Sequence, residues 1–306
     1  MGSVVILGVF VADTAYRAAR QPRMGETILG KSFALGPGGK GSNQAVAVAR
    51  LGGEVHFISR LGQDDFAEMA LKTWADAGVR PAVVQDAESF TGAAYIFIDD
   101  ASGDNAIIIA PGAAADIGPA DIDANAGVIE TASVFVTQLE QPLDAARRGL
   151  ERARAGGAVT ILNPAPAAPL DDALLGLCDY VTPNETETEA LTGLPVTDEA
   201  SAARAAAALL ARGAGAAVIT MGAAGVYFHA PDLQVMCPAM DAGPVVETTG
   251  AGDAFNGGFA FALARGDTPL DAVRVGIATA GLSVTRAGTA PSMPDLAEVD
   301  ALLSRA

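Results

Sequence analysis

The sequence predicts an α/β fold in which helices cover both faces of a mostly parallel β-sheet. Two observations predict it: short β-branched runs alternate with Ala-rich periodic runs along most of the chain, and glycines separate many of them. The 306 residues suit one large α/β domain, or a main domain with a small appendage. In such folds ligands bind where the carboxyl ends of the strands meet, so we expect a site at that edge.

The strands of the main sheet are predicted from compact apolar runs at residues 3–10, 54–61, 133–139, 158–162, 180–182 and 216–220. Helices are predicted from Ala-rich or 3.6-residue periodic stretches at residues 43–50, 65–77, 143–155, 185–191, 200–212, 254–265, 270–284 and 295–304. The order strand, helix, strand repeats until the last third, which is helical. Parallel strands joined by crossover helices are the natural solution for this order.

Two segments break this order. Residues 14–34 alternate in polarity and contain turn-forming residues, and residues 91–110 read as a hairpin with strands at 93–99 and 105–109. We predict that they form a small antiparallel sheet that stands off the main sheet as a lid over the site. The alternative is two ordinary edge hairpins. With the lid at 14–34 and 91–110, the main domain comprises residues 1–13, 35–90 and 111–306.

Composition limits the possible partners. Half of the residues are hydrophobic and 18% are charged, which excludes a disordered chain. A net charge of -17 makes nucleic acid or an anionic membrane an unfavourable partner. Cys178 and Cys237 are isolated, so neither a zinc site nor a disulfide framework is supported. With no basic leader and no apolar run near the roughly 18 to 20 residues that span a bilayer, we expect a cytoplasmic protein.

Residues 247–258, Glu-Thr-Thr-Gly-Ala-Gly-Asp-Ala-Phe-Asn-Gly-Gly, are the most informative stretch. Gly250, Ala251 and Gly252 can bring backbone N–H groups close to an anion at the mouth of a predicted helix, whose dipole favours negative charge there. Phosphoryl transfer asks for charge stabilisation, positioning and one carboxylate that takes a hydroxyl proton, and Asp253 would be that base. The alternative is a glycine-rich loop in which Asp253 caps the helix.

Residues 36–43, Gly-Pro-Gly-Gly-Lys-Gly-Ser-Asn, literally satisfy the GxGxxG pattern, but they follow an irregular segment rather than the first strand. They are not a Walker A loop either, because Gly41 separates Lys40 from Ser42. We predict that backbone amides here approach a polyhydroxylated ligand and that Lys40 and Asn43 donate hydrogen bonds to it. The alternative is a tight turn that opens the next helix.

Two carboxylates stand at the ends of predicted strands. Asp13 lies just past the first strand, and Glu140 holds the equivalent place after the strand at 133–139. Either could be a solvated loop charge. Together they would line one crevice, where they could accept hydrogen bonds from sugar hydroxyls.

Two further junctions could meet a nucleotide. In residues 182–187, Asn184 and Glu187 fit a capping box, or alternatively organise Mg²⁺ and its waters beside phosphates. Thr220 ends a predicted buried strand and is followed by Gly222 and Gly225, which indicate either a nucleotide loop or a hairpin turn.

In this order, the motifs resemble those of the ribokinase (PfkB-type) carbohydrate kinase family, and the likeness extends over nearly the whole chain. It rests on Asp13, Gly-Gly-Lys-Gly-Ser-Asn at 38–43, Gln-Leu-Glu at 138–140, Asn-Pro-Ala-Pro at 163–166, Thr-Pro-Asn-Glu-Thr-Glu at 182–187 and Gly-Ala-Gly-Asp at 250–253. The early Gly-Gly-Lys-Gly together with the late Gly-Ala-Gly-Asp makes the resemblance specific. It implies a three-layer α/β/α sandwich with a small β-sheet lid, through which such proteins often form homodimers.

The resemblance implies ATP-dependent phosphorylation of a sugar's primary hydroxyl, with conversion of D-ribose to D-ribose 5-phosphate as the first expectation. Asp253 would be the base, and the amides of residues 250–253 would form the anion hole. Alternatives are a related kinase for another sugar, a sugar acid or a nucleoside, and a noncatalytic sugar-binding protein. A dinucleotide oxidoreductase is the remaining literal motif match.

The resemblance also implies ligand sets. The sugar set is Val11, Asp13, Gly39, Lys40, Asn43, Glu140 and Asp253. The nucleotide set is Asn184, Thr220, Gly222, Gly225, Gly252 and Ile277, with Glu187 acting on Mg²⁺ through water. A monovalent cation, K⁺ in many relatives, would be held by the loop that contains Glu247, Thr249, Ser283, Arg286, Gly288 and Ser292.

Three residues depart from the family pattern. Val11 stands where some members place an Asn against the sugar, so a polar contact is missing and the sugar's identity is open. Glu247 replaces the usual Asp of the cation loop, and its extra methylene alters the geometry there. Ile277 stands where His or Asn is frequent, which suggests an apolar shelf for adenine.

Overall fold

A computed structural model describes residues 2–305. The strands in chain order are β1 (Val4–Leu7), β2 (Val11–Ala18), β3 (Ser32–Gly38), β4 (Val55–Leu61), β5 (Arg80–Gln85), β6 (Thr91–Asp99), β7 (Asn105–Gly112), β8 (Val134–Thr137), β9 (Val159–Leu162), β10 (Tyr180–Val181), β11 (Ala216–Thr220), β12 (Gly225–Ala230) and β13 (Leu233–Pro238). The helices are α1 (Lys40–Arg50), α2 (Asp65–Ala77), α3 (Pro119–Ala124), α4 (Ala126–Glu130), α5 (Leu143–Gly156), α6 (Asp172–Leu175), α7 (Glu185–Thr192), α8 (Glu199–Ala211), α9 (Ala251–Arg265), α10 (Pro269–Ser283) and α11 (Leu296–Leu303).

The main sheet has nine strands in the order β13-β12-β11-β10-β9-β8-β1-β4-β5. Neighbouring strands from β5 through to β11 run parallel, whereas β12 pairs antiparallel with both β11 and β13. The prediction of a mostly parallel sheet is therefore confirmed, with an antiparallel hairpin added at one edge.

Both faces of this sheet are covered. In β1, Val4 and Ile6 belong to one apolar cluster and Val5 and Leu7 to the other, and all four side chains are fully buried. Successive residues of a strand point to opposite faces, so each face needs its own layer. Helices α1, α2, α9, α10 and α11 contribute to the first cluster, and α5, α6 and α8 to the second. The three-layer sandwich expected from the sequence is confirmed.

A second, separate sheet has four strands in the order β3-β2-β6-β7. Strands β2 and β3 are antiparallel, as are β6 and β7, but β2 and β6 run parallel. One continuous sheet is thus formed, and the alternative of two separate hairpins is wrong. The prediction that this sheet is antiparallel is wrong for the pair β2 and β6, whose long connection allows them to run parallel. We refer to it as the lid sheet; the domain limits remain a prediction.

Within residues 2–305, no helix is long and apolar enough to cross a membrane.

Candidate active site

The candidate site lies at the carboxyl edge of the main sheet. Gln138, Asn163 and Thr182 immediately follow β8, β9 and β10, and their side chains point into a buried polar cluster. Helix α1 packs against α9 in the layer that covers one face of the sheet, and Asn43 and Gln44 of α1 bond Asp253 of α9. The amino ends of both helices therefore meet the strand ends at one place, as expected for a ligand site in an open α/β sheet.

Helix α9 begins at Ala251, three residues earlier than the sequence predicts. Its N-cap is Gly250, with a φ of 82°. Only glycine adopts that left-handed conformation without a steric penalty, so Gly250 lets the chain turn into the helix. Asp253 is the third helical residue rather than the N-cap, and the alternative of a simple Asp cap is wrong.

The first turn of α9 presents free backbone amides. Ala251 N–H donates to the Thr248 carbonyl oxygen at 3.2 Å, whereas the N–H groups of Gly252 and Asp253 have no acceptor among the described residues. No atom lies within 4 Å of the point where a Cβ on Gly252 would sit, so open space adjoins these amides. Free amides at a helix N-terminus attract an anion. Of the predicted anion-hole residues, Ala251 is thus the one whose amide is already engaged.

Asp253 is almost fully buried, with 7% of its surface exposed. Its Oδ2 accepts a hydrogen bond from Asn43 Nδ2 at 2.9 Å, and its Oδ1 accepts one from Gln44 Nε2 at 3.3 Å. Burial raises the pKa of Asp253 above its ordinary value, although Lys40, Asn43 and Gln44 act in the opposite direction. A carboxylate with a raised pKa accepts a proton more readily, which is what a general base requires.

Asp13 is the third residue of β2, in the lid sheet. The sequence placed it just past the first strand; that description is wrong, because β1 ends at Leu7 and a new strand begins at Val11. Burial raises the pKa of Asp13 to about 6, and the negative charges of Asp253 and Glu247 add to this effect. Asp13 therefore faces the same site as Asp253.

Gly38 makes room for Asp13. It lies on β3, and a Cβ built on it would come within 2.2 Å of Asp13 Oδ2. Real Cβ atoms do not approach a carboxylate so closely, so this position accepts a side chain only if Asp13 moves.

Glu140 holds the amino end of α1. Its Oε2 accepts a hydrogen bond from the backbone N–H of Lys40, the first residue of that helix, at 2.7 Å. Burial raises the pKa of Glu140 to about 7; the Lys40 charge and this hydrogen bond lower it, whereas Asp253 and Asp13 raise it further. Asp13 and Glu140, the two carboxylates predicted from the sequence to share a crevice, thus belong to one site.

The Lys40 side chain is half-buried and is surrounded by acidic groups. Burial alone lowers its pKa, but Asp253, Glu140 and Glu187 raise it by more, and the net shift is upward. Lys40 therefore stays protonated, and its charge acts on both Glu140 and Glu187. Gly39, the N-cap of α1 with a φ of 88°, allows the turn that brings Lys40 here.

Asn184 and Glu187 form the capping box that the sequence allowed. Asn184 Oδ1 accepts from Glu187 N at 2.8 Å, and Glu187 Oε2 accepts from Asn184 N at 2.9 Å. Asn184 also pairs with Thr220 in an isolated parallel bridge, which joins the two predicted nucleotide segments. Burial raises the pKa of Glu187, and Lys40 and Asp253 both act on it, so the capped helix end borders the site.

A cavity of about 520 Å³ lies between the end of β13 and helices α10 and α11. It is lined mainly by apolar atoms from residues 236–241, from Ile277 on α10 and from Leu302 on α11, with Arg274 and Arg305 beside them. Gly225 packs tightly against this wall, because a Cβ on it would lie 2.1 Å from the Cys237 carbonyl oxygen. Gly225 is therefore next to Cys237, which lines the cavity together with Ile277, whereas Gly222 is not among the lining residues.

The predicted cation loop is only partly brought together. Glu247 Oε2 accepts from Gly288 N at 2.8 Å, which joins the segment before α9 to the segment after α10. Ser283 and Ser292 are buried, but their hydroxyls donate to backbone carbonyls. The Arg286 side chain pairs with Glu298, and Thr249 is exposed.

Val11 precedes Asp13 by two residues on β2, so the two side chains share one face of the strand. Val11 is 4% exposed and offers no hydrogen-bonding atom. The apolar departure noted in the sequence thus lies beside the Asp13 carboxylate.

Sequence reasoning assigned no role to a set of buried amides beneath the site, although several of them lie in motifs that it quoted: Gln44, Gln138, Asn163 and Asn256. Their signal was available, because a glutamine within an Ala/Val-rich helix or directly after a buried strand is rarely buried without a polar partner.

Known proteins resemble this chain in sequence and in fold. The family model of the pfkB family carbohydrate kinases matches residues 1–296 of the chain. Ribokinase of Haemophilus influenzae is 36% identical over 305 residues, 99% of each chain, and deoxyribokinase of Salmonella typhi is 34% identical over 303 residues, 98% of each. Among solved structures, Arabidopsis thaliana ribokinase complexed with ribose and ATP is similar with a TM-score of 0.91 and 30% identity, covering 99% of this chain and 98% of that one.

Proposed function

The chain belongs to the pfkB family of carbohydrate kinases, and from this premise we propose that it transfers the γ-phosphoryl group of ATP to the 5-hydroxyl of D-ribose. One observation carries the proposal: the buried Asp253 carboxylate lies beside free helix-terminal amides and interacts with Asp13, Glu140 and Lys40. The likeness to a ribokinase complexed with ribose and ATP supports the same reaction.

The transfer follows from these groups. The sugar hydroxyl oxygen forms a bond to the γ-phosphorus while its proton passes to the Asp253 carboxylate. The bond from the γ-phosphorus to the β,γ-bridging oxygen breaks, and its electron pair leaves with ADP. The amides of Gly252 and Asp253 stabilise the charge on the transferred group, the kind of preorganised stabilisation that contributes most in such sites.

The sugar is held on the lid side of Asp253. Asp13 and Glu140 accept hydrogen bonds from its hydroxyls, and Lys40, Asn43 and the Gly39 backbone complete the set. Asn43 suits this role because its Oδ1 is buried without a partner among the described residues, while its Nδ2 bonds Asp253. A buried polar atom without a partner is costly, and a ligand hydroxyl would satisfy it.

The nucleotide occupies the other side. Its base takes the cavity lined by Ile277, and its phosphates reach the amides of α9 past Thr220, Gly222, Gly225 and Asn184. The cavity volume and its apolar lining fit a purine ring. An isoleucine shelf holds the ring by contact rather than by hydrogen bonds.

The residues present fit magnesium held mainly by the nucleotide. Among the described residues, no group of three or more His, Cys, Asp or Glu could hold a metal, whereas Glu187 offers one carboxylate. Mg²⁺ commonly keeps several waters and binds through one or two carboxylates plus substrate phosphates, so Glu187 would act through water. When bound, Mg²⁺ supplies positive charge at the phosphates.

The donor set also fits a monovalent cation, K⁺, held beside the contact between Glu247 and Gly288. One Glu247 oxygen is engaged by Gly288 N, which leaves the other oxygen for an ion. Ser283, Ser292, Thr249 and the backbone at Arg286 would supply further oxygens. A cation there would add positive charge near the anion hole.

The lid sheet supports a homodimer. Tyr16, Phe33, Leu35, Tyr95 and Ile108 share the face opposite Asp13, by their strand pairing. Tyr16 packs on Phe33 and Tyr95, yet Phe33 is 56% and Ile108 69% exposed. A contiguous exposed apolar face of this kind marks an interaction site, and a second copy would cover it isologously. The cytoplasmic location stays a prediction.

A second acceptor is 2-deoxy-D-ribose. The likeness to the Salmonella typhi deoxyribokinase favours it, and so does the apolar Val11 beside Asp13. A site that lacks a hydrogen-bond partner discriminates weakly between a sugar and its deoxy analogue.

The test is an ADP-release assay across pentoses, hexoses, sugar acids and nucleosides, with and without K⁺. We expect the highest kcat/KM with D-ribose or 2-deoxy-D-ribose, and a higher rate with K⁺. Absence of turnover on every acceptor would overturn the kinase assignment. A clear preference for a nucleoside or a sugar acid would overturn the choice of ribose.

A further inference from the structure

Gln44 lies directly after Asn43 on α1 and is fully buried. Its Nε2 donates to Asn163 Oδ1 at 3.1 Å and to Asp253 Oδ1 at 3.3 Å, and its Oε1 accepts from Gln138 Nε2 at 2.6 Å. Both N–H groups and the oxygen of the Gln44 side chain are thus engaged within the protein.

The orientation of the Gln44 amide is fixed by its neighbours. The Thr182 carbonyl can only accept, so Asn163 must turn its Nδ2 toward it, at 3.1 Å, and its Oδ1 toward Gln44. Gln44 must then present its nitrogen to Asn163 and Asp253 and its oxygen to Gln138. The ends of three strands, β8, β9 and β10, therefore decide which end of Gln44 faces the carboxylate.

The side-chain amides of Asn43 and Gln44 each bind a different oxygen of the Asp253 carboxylate. Asn43 Nδ2 binds Oδ2 and Gln44 Nε2 binds Oδ1, so rotation of the carboxylate about its χ2 would break one bond or both. The hydrogen bond from Gln44 to Asp253 is long, so its main effect is to fix the orientation of the carboxylate. Asn43 has a further role toward the sugar, whereas Gln44 acts on the reaction only through Asp253.

On the basis of the proposed phosphotransfer, we propose that Gln44 is a positioning residue that holds the Asp253 carboxylate in the orientation in which it receives the proton of the sugar hydroxyl. Asn163 and Gln138 lock Gln44 in turn. Misplacement of a reacting group by about 1 Å can cost on the order of 10²-fold in rate. Lys40 is the charge that lowers the pKa of Asp253, and Asp253 in turn acts on Asp13, Glu140 and Glu187; all four groups stay unchanged in the test below.

The test compares Gln44→Met with Gln141→Met. Methionine keeps the length of glutamine but donates no hydrogen bond. Gln141 is also a buried glutamine, but it bonds Thr137 and the Gln138 carbonyl rather than Asp253. Both variants lose buried hydrogen bonds and should lose stability, so the melting temperature alone does not separate them.

For Gln44→Met we expect kcat to fall about 10- to 100-fold with a nearly unchanged KM for the sugar. The acid limb of the kcat–pH profile should move to higher pH, because the carboxylate loses a donor that favours its charged form. Gln44→Glu, which keeps the shape, should move the limb further through charge repulsion. Gln141→Met should keep the wild-type profile.

Two results would overturn the inference: a Gln44→Met enzyme with wild-type kcat and acid limb, or the same changes in Gln141→Met. A second readout does not need turnover. In ¹³C NMR with labelled aspartate, the Asp253 signal, assigned by its loss in Asp253→Asn, should titrate at higher pH in Gln44→Met than in wild type. Wild-type protein without kinase activity would refute the proposed function, while this titration would still decide the Gln44–Asp253 interaction.

Discussion

The Glu140 carboxylate accepts a hydrogen bond from the Lys40 backbone N–H at 2.7 Å, although 100 residues separate them. This bond ties the loop after β8 to the first turn of α1 and sets the distance between the sugar-side acid and the helix that carries Asn43 and Gln44. A negative charge here also suits the helix N-terminus.

Glu140 should make stability pH-dependent. Its pKa rises from 4.5 to about 7 on folding, so the folded protein binds this proton more tightly than the unfolded chain does. Below the unfolded pKa, this tighter proton binding adds on the order of 3 kcal/mol to the free energy of unfolding. The contribution is lost as pH rises through about 7. In Glu140→Gln the free energy of unfolding should fall less steeply with rising pH, and Asp13 should account for the pH dependence that remains. Urea unfolding of ligand-free protein at about pH 5 and 7.5 measures it. Equal slopes in both proteins would contradict the assignment.

Asp253→Asn should lower kcat by about 10²- to 10⁴-fold, because the amide cannot take the hydroxyl proton. Ribose should still bind, since the other sugar-binding groups remain. Steady-state kinetics and calorimetric titration with ribose measure the two effects. Near-normal kcat in this variant would show that another group is the base.

Val11→Asn should increase the preference for ribose over 2-deoxyribose about 10-fold, or about 1.4 kcal/mol, because it places a hydrogen-bonding group beside Asp13. Val11→Ala is the control, since it changes volume without adding polarity. The ratio of the two kcat/KM values is the measurement. A gain of similar size in Val11→Ala would mean that space, not polarity, sets the preference.

Gly38→Ala should raise the KM for the sugar about 10- to 100-fold, because the new Cβ displaces the Asp13 carboxylate. Gly36→Ala is a matched control on the same strand, where nothing lies within 4 Å of the added Cβ. Steady-state kinetics with varied sugar concentration give the KM of both variants. Equal effects would point to the backbone of β3 rather than to Asp13.

Ile108→Arg should convert the proposed dimer to a monomer, because it places a charge in the apolar face of the lid sheet. Val84→Arg on β5 is the control, since Val84 is also exposed, at 46%, but lies in the main sheet. Light scattering coupled to gel filtration gives the mass of each. A wild-type monomer, or a dimeric Ile108→Arg protein, would exclude this interface.

Local signals were enough for much of the fold. Helix α2 begins and ends where the sequence predicts, because Asp64 caps Ala67 N at 2.8 Å and Gly78 ends the helix with a φ of 89°. Strand β11 also matches its predicted limits. In both, the chain's own residues mark the boundaries.

Other features depend on distant parts of the chain. The hairpin of β12 and β13 was not predicted beyond a possible turn, because its strands are defined by pairing with β11 at the sheet edge. The early start of α9 depends on Gly250 adopting a positive φ, which a glycine allows but does not dictate. The role of Gln44 likewise needs three strand ends that the sequence does not place in space.

The amides of Asn43 and Gln44 meet a carboxylate 210 and 209 residues further along the chain. During synthesis, the amino-terminal segment therefore emerges long before its acidic partner is translated. A prematurely terminated polypeptide would contain Asn43 and Gln44 but would lack Asp253. It therefore could not consume ATP. The chain can become catalytically active only late in its synthesis, when α9 has been translated and can pack against α1.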